Sequence, residues 1–315
     1  MTSLRVTQSL MHEAFLRSLR GQLTRLQSAQ QQISTGERFS LPAEAPVAAT
    51  QVLSLDSALA ANAQFSRNGE LMRNRLGATE SALTGAGDVL QRVRQLAVQS
   101  ANATASAETR RLIAAEVRQH LDGILQIANS TDGEGEYLFS GYSVQAQPFG
   151  RDSAGTVLYN GDQGQRQIQI GPERFVADTD PGSQVFQMIR NGNGTFTTAA
   201  GAANAGTGVV GARSVVDPLQ YDGDTYSVLF TAADVYEVRD SSNALVTSGS
   251  FSAGTTIAFR GIQLAIDGVP ASGDTFTVAP SQHQDVFTTI GNFLDALENA
   301  DDSAAGRAQF SNVTN

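Results

Sequence analysis

Along the first third of the chain the apolar residues fall on helical faces. Leu16, Leu19, Leu23, Leu26, Gln30 and Ile33 step by three and four residues. The same rhythm returns in Met72, Leu76, Thr79, Leu83, Ala86, Leu90, Val93, Ala97 and Ser100. A stripe repeating every 3.5 positions is narrow, and it is buried only when another helix lies alongside. The first stripe has no obvious partner within the chain. Residues 3–34 thus read as one amphipathic helix, ended by Ser34-Thr35-Gly36. Pro42 and Pro46 make 39–46 extended, and Pro46 suits the first position of a second helix. That helix meets no further proline before Ser100 and would be on the order of 80 Å long. Gly69, Gly77, Gly85 and Gly87 each weaken it by up to about 1 kcal/mol relative to alanine. After a turn at 102–107, a third helix is expected over 108–129. Its stripe is Ile113, Val117, Leu121, Ile124 and Ala128, and the short connection favours antiparallel packing.

The period changes at Thr131-Asp132-Gly133-Glu134-Gly135. Beyond it, short alternating runs predict strands. Val157-Leu158-Tyr159 and Gln167-Ile168-Gln169-Ile170 flank a Gly-rich turn and read as a hairpin. Further strands are expected at 226–230, 235–238, 257–259, 262–266 and 276–278. Gly223-Asp224-Thr225-Tyr226-Ser227-Val228 is echoed by Gly273-Asp274-Thr275-Phe276-Thr277-Val278, which suggests a repeated hairpin rather than a solenoid. Helical period returns in Val286, Ile290, Phe293 and Leu297, then breaks at Asp301-Asp302-Ser303. The fold class expected is α+β and multidomain: an elongated antiparallel helical rod with an inserted, mostly antiparallel β domain. The expected domains are a terminal helical segment at 1–44, the rod at 45–140, the β insert at 141–282 and a return segment at 283–315.

Charge and composition narrow the partners. The chain has 315 residues, a net charge of -10 and no cysteine or tryptophan. An acidic surface argues against nucleic acid or anionic membrane as the main partner, and no apolar run is long enough to span a bilayer. All 21 basic residues are arginine, which reads as compositional bias. Without cysteine there is no disulfide framework, thiolate metal site or cysteine nucleophile. The N-terminus lacks a basic region followed by an apolar core, so no secretory signal peptide is expected.

Candidate chemistry is sparse. His12, His120 and His283 lie far apart and in no metal-type spacing. Phosphate-binding, dinucleotide-binding and nucleophile-elbow motifs are missing. Asp132, Glu134 and Glu136, and Asp222 with Asp224, alternate with glycine and read as turns rather than a calcium loop. No catalytic, cofactor or metal residue is assigned, and nothing points to an enzyme.

One stretch carries more than periodicity. Leu90-Gln91-Arg92-Val93-Arg94-Gln95-Leu96-Ala97-Val98-Gln99-Ser100-Ala101-Asn102 resembles the flagellin family signature. Ile33-Ser34-Thr35-Gly36-Glu37-Arg38 with Pro42-Ala43-Glu44-Ala45-Pro46 resembles that family's segment between its first two helices. Gly135-Glu136-Tyr137-Leu138-Phe139-Ser140-Gly141 and Gln147-Pro148-Phe149 make the chain most similar to the hook-associated branch. Asn191-Gly192-Asn193-Gly194-Thr195-Phe196 and Gly273-Asp274-Thr275-Phe276 support that placement.

The resemblance implies a structural subunit of the bacterial flagellum, joining hook to filament. Its implied partners are copies of itself in a ring, a neighbouring hook-associated protein, flagellin and a flagellar export chaperone. It also implies extracellular localisation after export without a cleaved signal peptide, through the flagellar type III apparatus. In the family both termini are helical, lie in the inner tube and pair with each other. The chain is thus expected to be a shortened form of a longer protein, with the chaperone region beyond Asn315. Its N-terminal helix is expected to be mobile or packed on another copy. Leu16, Leu19, Leu23, Leu26, Ile33, Met72, Leu76, Leu83, Leu90 and Val93 are the expected packing and assembly residues. Arg92, Leu96 and Glu116 match flagellin positions contacted by an innate immune receptor. Helix packing and surface charge are the favoured account of all three, and Gln95 replaces the glutamate usual in flagellin. Filament flagellin, or a coiled-coil surface adhesin with a β head, stay open as alternatives.

Overall fold

The computed structural model describes residues 2–36, 38, 43, 45–101, 106–300 and 302–314. The expected extended stretch at 39–46 and the turn at 102–107 lie largely outside them. Two compact units emerge, 1–67 and 68–315. The first holds helix α1 (Thr2–Thr35) and the start of helix α2 (Pro46–Ser100). Gly36 ends α1 in the left-handed region at φ 71°, and its N–H donates to Gln32 O at 2.9 Å.

The second unit contains two hydrophobic cores. The first is built by α2 beyond residue 67, α3 (Ala107–Ala128), α4 (Val286–Asn299) and part of α5 (Ala304–Thr314). Ser106 caps α3 by accepting from Thr109 N at 3.2 Å, and Asp285 caps α4 by accepting from Thr288 N at 2.6 Å. On α3 the expected Ile113, Val117, Ile124 and Ala128 are buried, while Leu121 is half-buried.

The inward face of α2 departs from the expected stripe. Met72, Arg75, Thr79, Ala82, Ala86, Val89, Val93, Leu96 and Ser100 are the buried or half-buried line, alternating steps of three and four. Two such lines share 72, 79, 86, 93 and 100, and they differ in taking residues 75, 82, 89 and 96 or residues 76, 83, 90 and 97. The structure takes the first. Leu76, Leu83 and Leu90 are therefore turned outward, because an ionic contact pulls Arg75 in.

The first core continues beyond the helices. Phe139, Phe149, Phe186 and Phe287 join in mostly edge-on or tilted contacts, with centroids 5.2 Å apart for Phe139–Phe186 and 5.3 Å for Phe149–Phe287. Strands β1 (Phe149–Arg151) and β2 (Val157–Tyr159) pair with each other, as do β3 (Gln167–Gly171) and β4 (Arg174–Ala177). The hairpin expected between β2 and β3 is thus not formed. Asp152 Oδ1 accepts from Ala154 N and Thr156 N at 2.9 Å, closing a tight turn that hands β2 to β1. The Gly-rich stretch after β2 packs on side chains instead: Gly164 lies under the Tyr142 ring, and Gly161 beside Tyr159.

The second core lies between two sheets. A short β5 (Ile189–Arg190) pairs with β14 (His283–Gln284) at its entrance. Between them run β6 (Phe196–Ala200), β7 (Val209–Val215), β8 (Tyr226–Ala232), β9 (Val235–Arg239), β10 (Leu245–Ser250), β11 (Thr256–Phe259), β12 (Ile262–Asp267) and β13 (Thr275–Pro280). The five-stranded sheet has the order β10-β9-β8-β13-β6 and the three-stranded one β11-β12-β7, all antiparallel. The two echoed segments are neighbours: Phe276 faces Val228 and Val278 faces Tyr226. Alternate residues Tyr226, Val228 and Phe230 point into this core.

Residues 137–141 join these parts. Leu138, Phe139 and Ser140 are buried, and Gly141 turns the chain at φ 72°. A Cβ at Gly141 would overlap the Asp162 carboxylate, which accepts from Tyr142 N at 2.8 Å and Gly164 N at 2.7 Å. Gly141→Ala is therefore expected to destabilise the protein by about 1 kcal/mol or more, from left-handed strain and overlap together. Urea denaturation with an unchanged m-value checks it.

Candidate assembly surfaces

In the first unit, every described side chain of α1 from residue 9 onward is exposed. That includes Leu16, Leu19, Leu23, Leu26 and Ile33, the last at 83%. Val47, Val52, Leu53, Leu55 and Leu59 at the start of α2 are exposed as well. Apolar residues scattered singly on a surface need no explanation, but rows of them mark contact sites.

In the second unit, Met72 and Val93 are buried, whereas Leu76, Leu83 and Leu90 are exposed at 43%, 41% and 38%. These leucines stand seven residues apart, about 10.5 Å along the helix. They flank the inner line as a straight outer row. Val98 on α2 and Leu112 on α3 are exposed as well.

The residues matching the family signature divide. Leu96 is 1% exposed and belongs to the core. Arg92 Nε donates to Glu116 Oε1 at 2.8 Å, linking the surfaces of α2 and α3. That hydrogen bond is the main reason the Glu116 carboxyl sits below its ordinary pKa. Of the three histidines, His120 lies on α3 with Nε2 3.5 Å from Glu116, His12 is exposed on α1, and His283 lies in β14.

The glycine-spaced carboxylates hold arginines. Arg75, 3% exposed, lies against Asp132 and donates to Glu136 at 3.1 Å, to Tyr137 O at 3.0 Å and to Asp178 O at 3.0 Å. Arg166 donates to Asp178 at 2.8 Å and to Glu136 at 3.0 Å. Its guanidinium is held in the charged form chiefly by Asp178. Asp132 also organises its own loop, accepting from Glu134 N and Glu136 N. Asp222 accepts from Tyr226 Oη at 2.5 Å, and Asp224 accepts from Ser241 Oγ at 3.0 Å. Among the described residues no group of three His, Asp or Glu is arranged to hold a metal ion, and no helix is long and apolar enough to cross a membrane. Sequence reasoning passed over Arg75; the signal available was a lone charge inside an otherwise uncharged line.

Residues 6–144 match the family model of the bacterial flagellin N-terminal helical region. Flagellar hook-associated protein 3 of Salmonella typhimurium is 28% identical over 186 residues, 59% of this chain and 58% of that protein. The chain thus spans a little under three-fifths of that curated relative. The crystal structure of Xanthomonas campestris FlgL is 44% identical, with a TM-score of 0.78, over 82% of this chain and 84% of that one. The flagellar junction protein FlgL from Legionella pneumophila is 26% identical, with a TM-score of 0.78, over 85% and 86%.

Two outcomes test the electrostatics. Arg75→Ala leaves Asp132 without its arginine and Glu136 and Asp178 with Arg166 alone. It should cost about 2–4 kcal/mol by chemical denaturation, below or at the low end of the cost of breaking an isolated buried pair. For the surface pair, a depressed carboxylate contributes stability that is present at neutral pH and lost as the pH falls through its folded pKa. An NMR titration should place Glu116 below an ordinary glutamate, and Arg92→Gln should move it back up.

Proposed function

This chain belongs to the FlgL family of flagellar hook-associated proteins, and from that premise we propose that it is a structural subunit joining hook to filament in the bacterial flagellum. The observation that carries this reading is the set of leucine rows on α1 and α2, in a chain 44% identical to an FlgL of known structure. A structural subunit needs apolar faces that its own fold leaves uncovered.

Copies would stand side by side in a ring, with a hook-associated neighbour on one side and flagellin on the other. The outer row Leu76, Leu83 and Leu90 would face neighbouring helices. Full burial of one such side chain is worth roughly 1.5–3 kcal/mol, and these are already more than half covered, so each adds about 1 kcal/mol. Three leucines together give no more than about a millimolar contact. Stable seating therefore also draws on the wider exposed surface of α1. Adapting one lattice to another calls for positioning and packing rather than bond chemistry, in keeping with the absence of an assigned catalytic residue. The chain would reach this site by export through the flagellar apparatus without a cleaved signal peptide, held beforehand by an export chaperone.

The test is a Leu83→Asp, Leu90→Asp double variant expressed in a strain lacking the gene. Both positions keep about two-fifths of their surface exposed, so the purified protein should keep its helicity and lose about 2–3 kcal/mol of stability, the burial these two leucines already have. Cells should carry hooks without filaments and shed monomeric flagellin. A normally motile strain would contradict the proposal, and long filaments formed by the purified wild-type protein alone would favour a flagellin role.

A further inference from the structure

The chain contains four Asn-Gly pairs, at 68–69, 160–161, 191–192 and 193–194. An Asn-Gly pair is the sequence context in which the following amide nitrogen can reach the asparagine Cγ, because glycine offers no side chain to obstruct it. The fold treats the four pairs differently.

Asn68 lies inside α2, and its Nδ2 donates to Gln169 O at 2.7 Å. Gly161 is hemmed in by the Tyr159 ring and by Ser140 O. Asn191 is held at both ends of its amide: Oδ1 accepts from Gln282 N at 2.9 Å and Nδ2 donates to Gln284 Oε1 at 3.3 Å. Asn193 differs from all three. It alone combines an exposed asparagine with open space around the following glycine: Asn160 is exposed but Gly161 is crowded, and Gly69 is open but Asn68 is half-buried. Its Oδ1 accepts from Thr195 N at 3.0 Å and from Phe196 N at 2.9 Å. The ring closed by the Thr195 bond contains both the Asn193 Cγ and the Gly194 nitrogen. The Gly194 N–H is committed only to a long bond, 3.2 Å, to Asn191 O.

We propose that Asn193 is a site of spontaneous deamidation, converting to aspartate and isoaspartate ahead of the other three Asn-Gly pairs. The Gly194 nitrogen gives up its proton to solvent and bonds to the Asn193 Cγ. The Cγ–Nδ2 bond then breaks, and Nδ2 leaves as ammonia after taking up a proton. Water opens the resulting succinimide at either carbonyl, giving aspartate or isoaspartate. In the tetrahedral intermediate the negative charge sits on Oδ1, the atom on which two backbone N–H groups already converge. Donors aimed at the oxygen that becomes charged favour that intermediate over the ground state.

The two products differ in consequence. An aspartate keeps both backbone donors, now as bonds to a charged acceptor, which are the stronger kind. Isoaspartate adds one carbon to the main chain just before the fully buried Phe196, at the start of β6. That strand is an edge, paired only with β13, so the isoaspartate form should loosen there first.

The experiment incubates the folded full-length chain at neutral pH and 37 °C and follows its peptides by mass spectrometry, with isoaspartate labelled by an isoaspartyl methyltransferase. The Asn193 peptide should gain mass at least about fivefold faster than the other Asn-Gly peptides, a small part of what aimed backbone donors achieve in enzymes. That lead should vanish when the chain is unfolded in urea. An earlier gain at Asn160 or Asn191, or a slower gain at Asn193 in the folded than in the unfolded chain, would overturn the proposal. Gly194→Ala should abolish the lead, although Gly194 has φ 87° and the substitution strains the turn. Asn193→Asp avoids that strain: it should fold normally, and its peptide, which still carries Asn191, should gain mass no faster than the Asn68 and Asn160 peptides. Gain there at the wild-type rate would assign the reaction to Asn191 instead.

Discussion

The arrangement of the second unit depends on the buried guanidinium of Arg75. A charge in that position costs several kcal/mol unless it is paired and hydrogen-bonded, and here it meets Asp132, Glu136, Asp178 and two carbonyl oxygens. The apolar seam around it repeats every seven residues, so burial alone would tolerate a shift of one heptad. The arginine would not, because only one register brings it to these carboxylates. A polar group inside a heptad seam sets register in coiled coils by the same argument. Arg166 extends the constraint by sharing Glu136 and Asp178, so the β3–β4 hairpin is placed by the same charges as the helix.

That constraint also sorts the apolar surface of α2 into two jobs. Drawing Arg75 inward brings Ala82, Val89 and Leu96 to the interior with it and turns Leu76, Leu83 and Leu90 to the outside. The chain could have buried the larger side chains, and a lone subunit would be more stable for it. Leaving them partly exposed forgoes some apolar burial within the subunit. The stability forgone per residue is small, about 1 kcal/mol, far below the cost of leaving the Arg75 charge unpaired.

The helices were legible because their boundaries rest on local chemistry. Pro46 opens α2, Gly36 closes α1, and both act through their own φ angles. Strand positions such as 226–230 and 262–266 were legible for a similar reason, since alternation reflects a pleated sheet with one buried face. Choices between equivalent local patterns were not. The lines through Leu76 and through Arg75 have the same period, and the decision comes from carboxylates 57 to 103 residues away. The partner of Val157–Tyr159 was likewise hidden, because Asp152 closes a turn on one side while the glycines on the other serve to admit the rings of Tyr142 and Tyr159. Phe139, Phe149, Phe186 and Phe287 meet only in three dimensions, and no spacing announces them.

The two cores of the second unit are tied together by α5, which serves both. Phe310 belongs to the helical core and packs 6.0 Å from the Arg110 guanidinium, while Arg110 donates to Ala300 O and Asp302 at the bend between α4 and α5. On its other side Asn312 accepts from Val210 N at 2.8 Å and donates to Gly208 O at 2.9 Å, supplying β7 with a partner. Gln309 donates to Ala202 O at 2.9 Å, beside the end of β6. One short helix therefore couples the packing of α3 and α4 to the edges of two sheets. A hinge would need few contacts and exposed backbone at this point. The structure has a cation–π contact, a bend tied by a buried arginine, and an asparagine bonded to the strand at both ends of its amide. The sheets and the helical core are thus coupled through specific bonds at α5 rather than through a flexible link.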